Sequence, residues 1–331
     1  MTTLKDIKSE FHANFPRLAS GKQVHFLMLR HSQSFPVFQT DGVLNTARTQ
    51  AGIENKDTIS RLVMFKRKQT TPERLSGREL LRALSLTSAD ETEKDKYCEY
   101  NGEKSCKHCP DCIIYGFAIG DSGSERSKVY SDSAFSLSAY ETSHKSFTFN
   151  APYEGGTMSE KGEMRSSINE LDHILPEVTF PTVETLKDPT LEGFIYVLGN
   201  LMRTRRYGAQ ETRTGAIKNH IVGIAFTDGE LFSNLHFTQA LYDTQKADPA
   251  APIDVLCQRA TDLIEPLLSQ EPVRKSRVLL NGELDELMAE VLALYQSEEQ
   301  LSKTLQTLYE QTSLYANTYG AMAGKGKSKK K

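Results

Sequence analysis

Four cysteines within fifteen residues of one another form the most specific chemical signal in this sequence. Cys106, Cys109 and Cys112 follow a Cys-x₂-Cys-x₂-Cys spacing, and seven residues separate Cys98 from Cys106. Four thiolates can surround a tetrahedral Zn²⁺ ion, and such a closed shell leaves no open position for catalysis. His108 is the substitute ligand if Cys98 is too distant. The spacing therefore predicts a structural zinc site.

Two other interpretations of these cysteines remain open. The same spacing begins ferredoxin motifs, so an iron–sulfur cluster is the competing metal site. Reduced cysteines without metal are the remaining alternative, although thiols this close together would oxidise readily. The strongly polar flanks favour zinc. The fifth cysteine, Cys257, lies alone in an apolar helical pattern, and an odd count without a secretory signal argues against a disulfide framework.

The remaining sequence contains no recognisable catalytic constellation. The eight histidines are scattered, and none accompanies carboxylates at a spacing typical of a nucleophile or metal site. His25 lies in a strand pattern, where a hydrogen-bonded core or edge histidine is the usual case. No phosphate-binding glycine loop or H-E-x-x-H motif is present. The sequence therefore favours a binding protein over an enzyme.

The charge distribution is more informative than the formal net charge of −3. Residues 59–83 contain seven cationic side chains against Glu73 and Glu79, and residues 201–220 contain five against Glu211. Residues 281–311 reverse the balance, with seven carboxylates against Lys303. We expect a basic face that attracts a polyanion although the total charge is acidic.

The length of 331 residues allows one large domain with insertions or two modest ones. No run of 18 apolar residues indicates a membrane span. Residues 1–15 are mixed and charged, without the apolar core of a secretory signal. We therefore expect a cytoplasmic protein with no membrane partner.

The order of predicted elements indicates an α+β fold. Strands are predicted over residues 22–31, 59–68, 128–138, 143–150 and 214–226, and helices from Ser76 and over residues 191–202. Ser76-Gly77-Arg78-Glu79 has the form of a capping box, which predicts that a helix begins there. Strand 143–150 is the expected partner of strand 128–138, and a long polar excursion over residues 151–189 follows it. Without insertions, the order is the βαββαβ pattern of a ferredoxin-like or RRM-like domain.

The C-terminal third has a different, helical character. Seven apolar residues follow a near-heptad spacing interrupted at Glu298: Leu284, Leu287, Val291, Leu294, Leu301, Leu305 and Leu308. This spacing predicts one long helix that packs against the body of the protein or against a neighbouring subunit, and the body is favoured because such spacing also serves ordinary helix bundles. Residues 324–331 form a basic tail, which adds weak, salt-sensitive attraction to phosphates.

Three segments, in this order, resemble the RAMP superfamily of CRISPR proteins. Residues 74–84 (RLSGRELLRAL) resemble its serine-containing helix start, residues 109–116 (CPDCIIYG) its cysteine-containing element, and residues 126–134 (RSKVYSDSA) the following strand. With the four-cysteine insertion and C-terminal helices, the chain looks most similar to the backbone subunit of type I-D CRISPR–Cas effector complexes (Cascade). The similarity covers roughly residues 22–227.

The resemblance implies a modified ferredoxin-like or RRM-like palm at residues 20–230. A zinc-binding insertion at 88–120 and a thumb-like hairpin insertion at 151–190 would interrupt it. A C-terminal helical region at 250–323 and a disordered basic tail at 324–331 would follow. Such subunits polymerise along a guide RNA (crRNA), hold the target strand and contact other effector subunits in antiviral defence.

The resemblance also implies where RNA would lie. The amides of Ser76, Gly77 and Arg78 would hold a phosphate, because helix starts carry unpaired N–H donors. The expected cradle continues through two further groups: Asn45, Arg48, Lys66, Arg67 and Arg74, and then Arg203, Arg205 and Arg206. Contacts of this kind position a strand without reading its sequence.

Two features depart from the superfamily pattern. The glycine-rich loop is represented only by Gly208 and Gly215. Relatives in type III complexes cut target RNA with a loop aspartate, and Asp41 is the one candidate here, although Asp-Gly is commonly a simple turn. A Mg²⁺-dependent nuclease that cuts the target at subunit intervals is therefore the enzyme alternative. A zinc-stabilised protein-interaction module without nucleic acid is the third hypothesis.

Overall fold

The computed structural model describes residues 3–119, 123–149, 159–160, 163–164, 169–245 and 251–320. The longer strands are β1 (Gln23–Ser32), β4 (Thr46–Gln50), β5 (Thr58–Met64), β8 (Val129–Ser131), β10 (His144–Phe149), β13 (Asn169–Ile174), β14 (Thr179–Lys187), β15 (Ile217–Thr227) and β16 (Lys275–Leu279). Two-residue strands are β2 (Gln39–Thr40), β3 (Val43–Leu44), β6 (Phe117–Ala118), β7 (Ser124–Glu125), β9 (Ala134–Phe135), β11 (Ser159–Glu160) and β12 (Glu163–Met164). The helices are α1 (Lys66–Ala83), α2 (Pro110–Ile114), α3 (Tyr140–Ser143), α4 (Leu191–Arg203), α5 (Asn234–Asp243), α6 (Ile253–Leu268), α7 (Asn281–Gln296) and α8 (Glu298–Thr318).

An antiparallel sheet with the order β16-β15-β1-β14-β8 forms the centre of the protein. β1 pairs with β14 on one side and β15 on the other. Its side chains are buried along almost the whole strand, which explains the continuous apolar run in its sequence. The mixed composition of helices and antiparallel strands confirms the predicted α+β class.

Helices cover both faces of this sheet. Because side chains alternate along a strand, Phe26 and Met28 of β1 lie in the core formed with α1, α4, α7 and α8. Leu27 and Leu29 lie in the opposite core, formed with α5 and α6. A third cluster joins the β2–β3 hairpin and β5 to the loop after α4. None of the described helices combines the length and apolar composition needed to cross a membrane.

The prediction that a helix begins at Ser76 is wrong. β5 ends at Met64, and α1 runs from Lys66 to Ala83, so Ser76, Gly77 and Arg78 lie inside the helix. Their amides therefore do not form a helix start that could hold a phosphate. Gly77 instead permits close packing, because a Cβ there would lie 2.4 Å from Tyr196 Oη and 2.5 Å from Asn200 Nδ2 of α4.

The predicted partner of strand 128–138 is also wrong. That segment forms two short strands, β8 and β9, while β10 pairs with β13. The polar excursion at 151–189 contains β14, a central strand of the sheet that is buried except at Lys187. The predicted thumb-like insertion at 151–190 therefore overlaps the core, and residues 151–158, 161–162 and 165–168 lie outside the described residues.

The C-terminal region packs against the body of the protein, but not as one helix. α7 and α8 are separated at Ser297, whose side chain caps α8 by accepting a hydrogen bond from Gln300 N. All seven leucine and valine residues of the near-heptad pattern are buried against α1, α4 and the sheet. The region also adds β16 to the edge of the sheet, which the sequence did not predict. The predicted basic tail lies outside the described residues.

Candidate metal centre and basic groove

The sulfur atoms of the four clustered cysteines point toward one another. The Sγ atoms of Cys98, Cys106, Cys109 and Cys112 all lie within 4.8 Å of one another. Cys98 Sγ lies 3.9 Å from Cys109 Sγ and 3.6 Å from Cys112 Sγ, and Cys106 Sγ lies 3.9 Å from Cys112 Sγ. Among the described residues, this is the group of histidine, cysteine and carboxylate side chains arranged to hold a metal ion.

The distances fit one tetrahedral ion. With Zn–S bonds of about 2.3 Å, tetrahedral thiolates are about 3.8 Å apart. The amides of Cys106 and Cys109 donate to Cys98 Sγ and Cys106 Sγ at 3.4 and 3.3 Å, which stabilises negative charge on sulfur. The pKa of the Cys98 thiol is lowered, chiefly by the hydrogen bond from Cys106 and also by the nearby charge of Arg78.

Arg78 and Asp111 connect this cluster to α1. Arg78 is 3% exposed and donates from Nη2 to Cys98 O at 2.6 Å and to Cys98 Sγ at 3.2 Å. Its Nη1 donates to Asp111 Oδ2 at 2.5 Å, and Arg74 donates to both oxygens of the same carboxylate. Both arginines therefore support the cysteine segment, and Arg78 is enclosed by it.

His108 connects the cluster to α8 and is not arranged as the substitute ligand. One ring nitrogen, Nδ1, is 2.8 Å from Cys106 O, and Nε2 is 2.8 Å from Tyr309 Oη. Both nitrogens have other partners and Cys98 Sγ completes the cluster, so the condition under which His108 would serve as a ligand is not met.

A groove of about 750 Å³ runs between α1 and the loop that follows α4. We call it the basic groove, because five cations and two carboxylates line it: Arg67, Lys68, Arg203, Arg205, Arg206, Glu79 and Glu211. The two positively charged stretches of the sequence, more than 100 residues apart, therefore meet at one surface. Ser76 also lines the groove.

The loop after α4 is held in a compact shape. Tyr207 N donates to Gly215 O at 3.0 Å, and Ile217 N donates to Arg205 O at 2.9 Å. Gly208 and Gly215 both have φ of +90°, and a Cβ at either would lie 2.5 Å or less from a backbone oxygen. These two positions therefore require glycine, and the closed loop projects Arg205 and Arg206 toward solvent.

A buried ionic network holds the two walls of the groove together. Arg30 of β1 donates to Glu73 of α1 at 2.6 Å and to Glu184 of β14 at 3.3 Å. It also donates to Tyr207 Oη at 3.2 Å and to Asn219 Oδ1 at 3.1 Å. Burial, followed by the charge of Glu73, raises the pKa of the Glu184 carboxyl well above its ordinary value, against the effect of Arg30.

A second cavity of about 660 Å³ lies beside the first turns of α1. It shares Arg67 and Thr71 with the basic groove, so the two spaces adjoin. We call it the aromatic pocket after its aromatic lining residues, which are Phe65, Tyr100 and Tyr115. Lys66 and Arg74 also line it, so this pocket contains the other predicted cations of α1.

Five predicted site residues line neither space: Gly77 and Arg78, which are buried within α1, and Asn45, Arg48 and Asp41. Asn45 is 9% exposed where β3 meets β4, and Arg48 is exposed on β4. Asp41 is exposed at the tip of the β2–β3 hairpin, where Asp41 and Gly42 have φ of +55° and +86°. It therefore forms a simple turn, and within the described part of the chain it belongs to no metal-holding group.

Sequence reasoning missed several residues that build the site. Lys68 belongs to a basic stretch but is not among the predicted contacts, and Asp111 of the cysteine motif is not predicted as part of the site. Tyr207 and Tyr100 carried no signal at all, because their roles depend on partners distant in sequence. The four-residue spacing of Arg74 and Arg78 becomes meaningful only when α1 is known to pass beside Asp111.

Fold and site together define an α+β protein in which a segment with four clustered cysteines, able to hold a metal ion, lies beside a basic groove. A family model described as Csc2 Crispr matches residues 10–305. The chain belongs to the Csc2 CRISPR family, and this confirms the CRISPR resemblance found in the sequence. A search of curated proteins finds no match.

Solved structures of CRISPR proteins have the same fold. The crystal structure of Thermofilum pendens Csc2 matches with a TM-score of 0.65 and 13% identity, covering 98% of this chain and 96% of that one. A chain of a CRISPR RNA-guided surveillance complex matches with a TM-score of 0.51 and 12% identity, covering 83% of this chain and 98% of that one. A chain of such a complex in a pre-nicking form matches with a TM-score of 0.50 and 12% identity, covering 78% of this chain and 91% of that one.

Proposed function

We propose that this protein is a guide-RNA-binding backbone subunit of a type I-D CRISPR effector complex. Copies of the chain would assemble along the guide RNA, hold the complementary target strand and contact other subunits in the cytoplasm. Membership of the Csc2 CRISPR family and the fold shared with a chain of an RNA-guided surveillance complex support this proposal.

The observation that carries the proposal is the basic groove. Its five cations come from two elements, and the Arg30 network keeps those elements at a constant separation. Such a surface neutralises successive phosphates along a strand without distinguishing one base from another, as a scaffold for different guides requires. Arg74 and Arg78 contribute less than the sequence suggested, because Asp111 already occupies their guanidinium groups.

Further features support the finer parts of the proposal. The core strands follow the order fourth, first, third, second (β15-β1-β14-β8), and both connecting helices, α1 and α4, lie in one core, as in a ferredoxin-like domain. The antiparallel β10–β13 pair lies near the start of the predicted thumb-like insertion, with β10 just before residue 151 and β13 within the insertion. The four sulfur atoms have the spacing of a structural zinc site, whereas the cysteines of a multi-iron cluster bind different ions and stand farther apart.

RNA binding by the groove is tested with a triple substitution. Arg203→Gln, Arg205→Gln and Arg206→Gln together remove three exposed cations from one wall. We expect weaker binding of two unrelated single-stranded RNAs to the same extent, and a slope of log K against log salt reduced by about 2. A filter-binding titration over several salt concentrations measures both effects.

The matched control removes three exposed lysines elsewhere: Lys5→Gln, Lys275→Gln and Lys303→Gln. Equal losses in the control and groove variants would show that total charge, not the groove, attracts RNA. Failure of the unmodified protein to bind RNA in dilute buffer would refute the function itself.

A further inference from the structure

The aromatic pocket has a composition unlike the rest of the surface. Phe65, the residue that precedes α1, is 40% exposed, although phenylalanine is usually buried. It stands beside Lys66 and Arg67, and no carboxylate occurs among the described residues that line the pocket. An open aromatic ring beside the exposed cation Arg67 is suited to a ligand that is both flat and anionic.

Tyr100 forms a second aromatic wall, and α1 fixes its position. Tyr100 Oη lies 3.3 Å from Thr71 Oγ1, and the Arg74 guanidinium carbon lies 4.6 Å from the centroid of the Tyr100 ring. Arg74 is itself held by Asp111. The ring is therefore preorganised, so little conformational entropy would be lost when a ligand packs against it.

Hydroxyl groups complete the lining, and they come from Thr40, Thr70, Thr71, Ser127 and Ser133. Hydroxyls both donate and accept hydrogen bonds, so they suit the edges of any base and the sugar. The pocket is also large enough for a nucleotide, since ligand sites typically measure about 300 to 1,000 Å³.

We propose that the aromatic pocket receives a nucleobase of the single-stranded nucleic acid whose phosphates lie in the adjoining basic groove. Phe65 and Tyr100 provide the stacking surfaces, and the exposed Arg67 neutralises a phosphate beside that nucleotide. Base stacking on aromatic rings tolerates every base, so the pocket does not conflict with a scaffold for any guide. The inference rests on the proposed RNA-binding function and adds a base contact to it.

The test compares an intact single-stranded RNA with an oligomer of the same length and charge whose central bases are replaced by stable abasic sites. Wild-type protein should prefer the intact RNA by roughly tenfold, the effect of stacking one base. Phe65→Ala with Tyr100→Ala should bind both oligomers alike. Phe65→Tyr with Tyr100→Phe keeps both rings and should keep the preference.

Two further variants separate this inference from the function on which it rests. The triple arginine variant of the groove should bind both oligomers more weakly and leave the ratio of their affinities unchanged. Tyr319→Ala removes an aromatic ring that also lies under an arginine, Arg17, and lines neither space, so it should behave as wild type.

Equal affinity of wild-type protein for both oligomers, or an unchanged preference in the double alanine variant, would overturn the base pocket while RNA binding stands. Binding of neither oligomer by wild-type protein would refute the proposed function and the pocket together.

Discussion

Individual buried ionisable side chains show how far the fold alters residue chemistry. His25 of β1 is fully buried, with Nδ1 2.7 Å from Thr185 Oγ1 and Nε2 2.8 Å from Thr227 Oγ1. Burial lowers its pKa to about 4. The interpretation of this histidine as a hydrogen-bonded core residue is confirmed, and the ring is not available for catalysis.

His25 makes stability depend on pH in a defined window. In the unfolded chain the pKa is about 6.5, so the unfolded state binds the proton more tightly. The free energy of unfolding should therefore fall by roughly 3 kcal/mol as the pH drops from 6.5 to 4, because of the size of this pKa shift. Below pH 4 it should level off. Urea unfolding at several pH values measures this loss.

The variant His25→Gln keeps a polar group in this place but does not titrate. The stability of the variant should vary less between pH 6.5 and 4. Part of the pH dependence that persists comes from the half-buried His220, whose pKa is also lowered to about 4. An unchanged pH profile in the variant would contradict this role for His25.

At the scale of elements, the close packing of α1 on α4 depends on the absence of a side chain at Gly77. Gly77→Ala would place a methyl group 2.4 Å from Tyr196 Oη and 2.5 Å from Asn200, both fully buried. We expect a loss of about 1 to 3 kcal/mol of unfolding free energy, because the helices must separate. Thermal or urea denaturation measures it.

Gly282→Ala in α7 is the matched control, since a Cβ there meets nothing within 4 Å. Alanine is the better helix former by about 1 kcal/mol, so this variant should be as stable as wild type or more so. Equal behaviour of the two variants would show that α1 and α4 are not in tight contact.

The elements that could be predicted from sequence are those with ordinary patterns. β1, α4 and β15 have apolar runs or alternation that local physics explains, and the structure confirms them within a few residues. β14 could not be found, because it contains Pro181 and Glu184, which normally argue against a central strand. Glu184 is buried only because Arg30, 154 residues earlier, pairs with it.

In the candidate site, too, features with a local sequence pattern could be predicted, whereas features that depend on distant partners could not. The clustering of the four cysteines was predictable, because residues that can bind one metal ion follow a short local spacing. The helix start at Ser76 was mispredicted, because a Ser-Gly pair looks like a cap, whereas Gly77 serves a contact with a distant helix. The basic stretches were visible in sequence, but their meeting at one groove depends on the sheet between them.

At the scale of the whole molecule, the cysteine cluster is the point where separate layers are joined. Arg78 reaches it from α1, and Tyr309 reaches it from α8 through His108. Chelation should therefore lower the melting temperature and speed amide exchange in α8 near Tyr309 and in α1 near Arg78, because coupled metal sites contribute folding free energy. Hydrogen exchange with mass spectrometry measures both segments.

The helices α5 and α6 provide an internal control, since they pack on the opposite face of the sheet. Their exchange should change little at the same chelator concentration. Loss of metal without faster exchange in α8 would show that the cysteine segment folds independently of the rest.

The Arg30 network has a consequence for how this family can diverge. Replacing Arg30 alone leaves Glu73 without a counter-charge in the buried interior, which typically costs about 3 to 5 kcal/mol, whereas exchanging the whole set for apolar residues need cost nothing. The three positions should therefore vary together among descendants of this sequence. A lineage that loses the arginine has to lose its acids as well.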